Sequence, residues 1–166
     1  MITGKLAAPE DFEDYYFLKS DELNINWSGH ESAPDKEKIH AWYLENIQRK
    51  DRYFFLFYEP ELFDHAVGYL YMDVVGENND KIDTGHGVHS NCGGKGYGTQ
   101  IIQFALKYAK DNLDFINGFE GWIASDNIGS IKNVLKNGYN KTEDVKQVTF
   151  ASGEIKTFEK YIINIR

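Results

Sequence analysis

The chain has 166 residues, about the size of one domain and long enough to bury roughly 70% of the surface its unfolded form exposes. Hydrophobic residues make up 42%, charged residues 27% and aromatic residues 15%, which excludes a disordered or collagen-like chain and implies an aromatic core. Eighteen basic residues against 26 acidic ones leave a formal charge of −8, the wrong sign for sequence-independent attraction to nucleic acid or an anionic membrane.

The single cysteine, Cys92, rules out an intramolecular disulfide, and three prolines leave no room for a Pro-rich linker. Met1 to Glu10 lack the apolar run of a secretion signal. The longest apolar stretches, Tyr53–Tyr58 and Ala66–Val75, fall far short of the about 18 residues that mark a membrane span. A single domain over residues 1–166, cytoplasmic and in a reducing compartment, is the expectation.

Ile2–Leu6 reads as a short first strand. Pro9 followed by Glu10 and Asp11 opens a helix near residues 9–19, because Pro suits the first turn and acids favour its positive end. Asn24 to Gly29 reads as a polar turn. Pro34 and Asp35 then start a second amphipathic helix, with Ile39, Trp42, Tyr43 and Ile47 at helical spacing, ending near Lys50. Tyr53–Tyr58 is short, aromatic and unbroken, as a buried strand is, and Glu59-Pro60 ends it. Ala66–Val75 and Ile82–His89 follow as strands joined by the turn Glu77 to Asp80. Beyond a glycine cluster, Ile101, Ile102, Ala105, Leu106, Tyr108 and Ala109 recur at helical spacing. Phe119–Ala124 is strand-like, Asn127–Lys136 helical with Asn137-Gly138 as its stop, and Tyr139–Phe150 and Ile155–Ile165 form a closing strand pair. The order β α α β β β α β α β β predicts an α+β fold with helices on a largely antiparallel sheet.

Gly93-Gly94-Lys95-Gly96-Tyr97-Gly98-Thr99 stands between a strand and the best-marked helix. Glycines there permit positive φ and close approach of a ligand, and the unpaired N–H groups of a helix start attract an anion such as phosphate. Neither standard phosphate motif fits. A P-loop needs Gly-Lys-Ser/Thr, but Gly94-Lys95 is followed by Gly96. The dinucleotide fingerprint would require glycine at Ile101 or Thr99.

With those two excluded, the chain resembles, across nearly its whole length, the GNAT superfamily of acyl-coenzyme A-dependent N-acyltransferases. Its pyrophosphate loop, Gln/Arg-x-x-Gly-x-Gly/Ala, is matched by Gly93-Gly94-Lys95-Gly96-Tyr97-Gly98, except that Gly93 replaces the usual Gln or Arg. A second signature, Asn-x-x-Ser/Ala followed by Lys-x-Gly-Phe/Tyr, is met by Asn127, Ser130, Lys136, Gly138 and Tyr139. The wording looks most like the branch that includes ribosomal-protein N-terminal acetyltransferases. The resemblance implies a six- to seven-stranded sheet with about four helices, and a gap between the fourth and fifth strands for the pantetheine arm of acetyl-CoA. That arm would bond main chain around Val88, His89 and Ser90 and the side chain of Asn127, with the pyrophosphate on the loop from Gly93 to Thr99.

Acyl transfer to an amine needs the amine neutral, and an alkyl ammonium resembling Lys has a pKa of about 10.4, so a base beside the cleft is required. Asp83 is the first candidate, directly or through water, and His86 the second; the alternative for Asp83 is a solvated acid closing the preceding turn. The tyrosine that many members use as acid falls at Val134, which leaves Ser130 as a hydroxyl near the cofactor sulfur, or as a helix-packing residue. His86, His89 and Cys92 have zinc-ligating chemistry, but residues three apart on a strand face opposite sides, so no metal is assigned. The acidic balance favours a cationic acceptor such as a polyamine, amino sugar or peptide amine; the chain itself would be a monomer or homodimer. A domain that binds acyl-CoA without turning it over is the second reading.

Overall fold

A computed structural model describes residues 1–166. Seven strands form one sheet: β1 (Thr3–Leu6), β2 (Arg52–Tyr58), β3 (Gly68–Val75), β4 (Lys81–Val88), β5 (Gly118–Ala124), β6 (Asn140–Thr149) and β7 (Ile155–Asn164). Their order is β1-β2-β3-β4-β5-β7-β6, antiparallel throughout except for the β4–β5 pair. Five helices flank it, namely α1 (Phe12–Lys19), α2 (Glu22–Trp27), α3 (Lys36–Asn46), α4 (Tyr97–Asn112) and α5 (Ile128–Lys136). No helix is long and apolar enough to cross a membrane.

The predicted order holds, with one helix more than expected. Asn24 to Gly29, read as a polar turn, lies mostly in α2. At six residues α2 is too short to show an apolar period, and tertiary bonds hold it. Asn24 Nδ2 donates to the Val88 carbonyl at 3.2 Å. Asp21, just before the helix, accepts from the Ser90 amide at 3.1 Å and the Ser90 hydroxyl at 2.5 Å. The start of the first predicted helix is instead a 3-10 turn, Pro9–Asp11, and the second helix stops at Asn46 rather than near Lys50.

Alternation along the strands builds two cores. Phe55, Phe57, Leu70, Met72 and Ile82 pack on one face against Ile101, Ile102, Ala105 and Ala109 of α4. Phe54, Leu56 and Tyr69 pack on the other against Phe12, Tyr15 and Leu18 of α1 and Tyr43 of α3. Between β4 and β5 the pairing is short: Lys81–Gly118, Ile82–Phe119 and Asp83–Glu120 are in register, and no pair follows. β4 continues beside β3 as far as Val88, while β5 continues beside β7 as far as Ala124, so the two strands part and leave a gap.

Asp21 is 8% exposed and ties α2 to the end of β4. Asp21→Ala leaves the Ser90 amide and hydroxyl without their acceptor. It should cost about 1–3 kcal/mol of stability, measured as a shift in the urea unfolding midpoint.

Candidate active site

The gap opens on the α4 side into a cleft of about 600 Å³. Its walls include Val88 from β4, Gly93, Gly94, Gly96, Tyr97 and Gly98 from the loop and start of α4, and Asn127 and Ser130 from the start of α5. Gly94 and Gly96 have φ of +74° and +77°, where side-chain-bearing residues are strained, and a Cβ on either would meet nothing within 4 Å. The loop main chain is therefore bare toward the cleft. Gly96 is the N-cap of α4 and no side chain caps the helix, so its first N–H groups and the positive end of its dipole are available to an anion. These features suit the pyrophosphate of coenzyme A, and Lys132 on the same wall adds a cation.

Asn127 caps α5 through its oxygen, which accepts from the Ser130 amide at 3.3 Å. That leaves its amide hydrogens for the cleft. Other expected residues are not on the wall. The His89 ring is 7% exposed, stacked on Phe17 with centroids 4.6 Å apart and 3.4 Å from Asp21; Ser90 is held by the same carboxylate. Their side chains are consumed in fastening β4 to α1 and α2. Lys95 is exposed outside the cleft, and the Thr99 hydroxyl donates to Asn133 at 3.0 Å, joining α4 to α5. His86 lines the cleft while His89 packs against α1, so the two imidazoles do not converge, and burial pushes the Cys92 thiol up, away from nucleophilic use.

Within the gap lies a smaller cavity of about 230 Å³ that shares His86, Asn127 and Ser130 with the cleft. Thr84, Gly121, Val134 and Tyr139 also line it. Burial pushes the His86 imidazole down to about 4, so it is neutral and a weak base. Asp83 lies two positions before Gly85 of the cavity wall, on the same face of β4, and does not itself line the cavity. It lies in register between Asp73 and Glu120. Burial first, then Glu120 and Asp73, push its carboxyl up to about 6, against the pull of Lys146 and Lys160.

Tyr139 escaped the sequence reading, while Trp27 is a sequence candidate for either the acceptor pocket or the core. Trp27, on the last turn of α2, lines the cleft, the gap cavity and a third groove beyond it. Tyr139, noted only as the end of a motif, is 3% exposed, and its hydroxyl is buried on the cavity wall with no hydrogen-bond partner; Thr84 is a polar neighbour outside bonding geometry. A signal for α2 lay in Gly87, since glycine within a strand marks close approach of another element. A Cβ on Gly87 would strike the Asn24 side chain, and one 2.6 Å from the Tyr69 ring would follow from the same substitution.

A sheet parted over a phosphate-suited helix start defines an acyl-CoA-dependent transferase. The acetyltransferase (GNAT) domain family matches residues 5–140, and the chain belongs to that family, whose members are N-acetyltransferases with acetyl-CoA as co-substrate. A comparison with curated proteins finds no match. Among solved structures, the chain is similar to spermidine N-acetyltransferase from Vibrio cholerae in complex with CoA and spermine. The identity is 13%, the TM-score 0.84, and the likeness covers 98% of this chain and 95% of that one. An N-acetyltransferase from Staphylococcus aureus Mu50 gives 17% and 0.81, with 100% and 99% covered. Aminoglycoside acetyltransferase AAC(6')-Ib in complex with coenzyme A gives 15% and 0.78, with 99% and 95% covered.

Because the native Asp83 carboxyl keeps its proton to about 6, above the roughly 3.9 of an unfolded aspartate, stability falls as pH rises through that window. Asp83→Asn should therefore raise the melting temperature at about pH 7.5 and give no gain near pH 3.5, as paired thermal melts would show.

Proposed function

We propose that the chain, acting as one domain, acetylates a primary amine on a small molecule by direct attack within a ternary complex, with Asp83 taking the amine proton through water. Bound acetyl-CoA supplies the thioester. The amine nitrogen attacks its carbonyl carbon, the carbon–sulfur bond breaks, and the products are an amide and the free thiol of CoA. The parting of β4 and β5 carries this reading, because the gap begins just past the Asp83–Glu120 pair and joins the glycine loop through a cleft and a cavity that share His86, Asn127 and Ser130.

Asp83 is the stronger of the two candidate bases, since a carboxylate at about 6 is ionised at neutral pH and more basic than an imidazole at about 4. Tyr139 supports the sulfur side. Burial keeps its phenol neutral, and its unpaired hydroxyl is a donor for the departing sulfur that Val134 does not supply. Ser130 and the Asn127 amide position the arm that brings the thioester into the gap. The wording from Asn127 to Tyr139 supports a place near the ribosomal-protein branch. Amine acceptors in the solved relatives, spermine among them, support turnover over a purely binding role.

The test is release of free CoA thiol from acetyl-CoA across a panel of small-molecule amines. Wild type should release it with some member of the panel, with kcat/KM falling as pH drops through about 6. Asp83→Asn should lose most of the rate and that acid limb while retaining CoA affinity; the same rate and profile in the variant would remove Asp83 from the reaction.

A further inference from the structure

The chain is acidic overall, yet no aspartate or glutamate lines the cleft, the gap cavity or the groove that continues from it. That groove, about 530 Å³, runs from the gap along β6 and β7 beneath the loop after α2, and it shares Trp27, Trp122 and Phe158 with the gap cavity. Phe150 completes an aromatic lining. The charges around these rings are positive. Lys146 Nζ stands 4.5 Å from the Trp122 centroid, and Lys160 Nζ 5.8 Å from it. Lys156 Nζ stands 5.2 Å from the Trp27 ring and 5.7 Å from that of Phe150.

Two of the three are already paired, Lys156 with Asp126 at 2.5 Å and Lys160 with Glu120 at 3.3 Å. Lys146 feels Asp83 across the sheet face but makes no ion pair and no side-chain hydrogen bond; it is exposed and is the one lysine on the groove wall. A ring face attracts an ammonium without neutralising it, so Lys146 keeps its charge for a ligand. It sits over a ring that itself borders the gap, which places that charge within about one strand spacing, ~5 Å, of the ring at the gap's edge. A polyamine threading this groove would meet like charge on its wall and find Asp126 and Glu120 already paired, with Asp83, outside the lining of the groove, left unpaired.

We infer that the acceptor is an amino-acid-like zwitterion, an amine with a nearby carboxylate and an aromatic or branched aliphatic body, whose carboxylate docks on Lys146 while its body lies between Trp27, Trp122 and Phe158. The inference rests on the acetyl-transfer reading and deepens it. A carboxylate on a lysine gains a charge-assisted hydrogen bond, and an apolar body covers rings otherwise left partly in water.

Phenylalanine and phenethylamine differ only by the carboxylate, so free-CoA release with the pair isolates the effect, with spermidine as the cationic comparator. Phenylalanine should show kcat/KM about tenfold or more above phenethylamine, and spermidine should be the poorest. Lys146→Ala, at an exposed position that leaves both cores intact, should bring the phenylalanine-to-phenethylamine ratio to about one. Quenching of tryptophan fluorescence by N-acetylphenylalanine should weaken in parallel. Equal turnover of the pair, preference for spermidine, or a ratio unmoved by Lys146→Ala would overturn the inference and leave acetyl transfer standing. If no amine of any charge releases CoA, the transfer reading falls as well.

Discussion

Everything in this molecule that bears on chemistry depends on the failure of β4 and β5 to stay paired. They share three register pairs and then separate, each retained by its other neighbour, β3 or β7. A parallel pair is the weaker kind of ladder, and this one is the only parallel pair in the sheet. The main chain freed along the gap would be costly if buried without partners. Instead the gap is lined by polar and small groups from α5 and by Tyr139, and it meets the bare amides at the start of α4.

Position along the sheet then sorts the charges. On one side, a helix start and Lys132 face the cleft. On the other, Arg52, Asp73, Asp83 and Glu120 lie in register across four strands. Arg52 pairs with Asp73 at 2.6 Å, and Lys160 takes Glu120, so Asp83 is the member of the row without a cation of its own. Burial, with the charges of Glu120 and Asp73 on either side, pushes its carboxyl up to about 6.

Much of this was legible in the sequence because it is written in local chemistry. The glycine run declares positive φ, Asn127 declares a cap, and the apolar period of α4 declares its buried face. What was illegible depends on partners distant in the chain. Nothing local distinguishes α2 from a polar turn, since Asn24 and Asp21 find their acceptor and donors near residues 88–90. The side chains of His89 and Ser90 belong to the same fastening, while the cofactor contact expected of them is through main chain. The net charge is a sum over the whole surface and does not describe the groove wall, which carries a lysine and no acid.

The short helix α2 supplies Trp27 to three cavities while its other side, through Asn24 and the preceding Asp21, clamps the end of β4. Heritable drift in acceptor choice is thereby channelled. A replacement at Leu23, exposed on this helix and on the cleft wall, can reshape the mouth, whereas positions 21 and 24 are anchored by their bonds near the end of the strand. The same scaffold can thus diversify its clientele along one flank while its grip on the thioester carrier stays inherited.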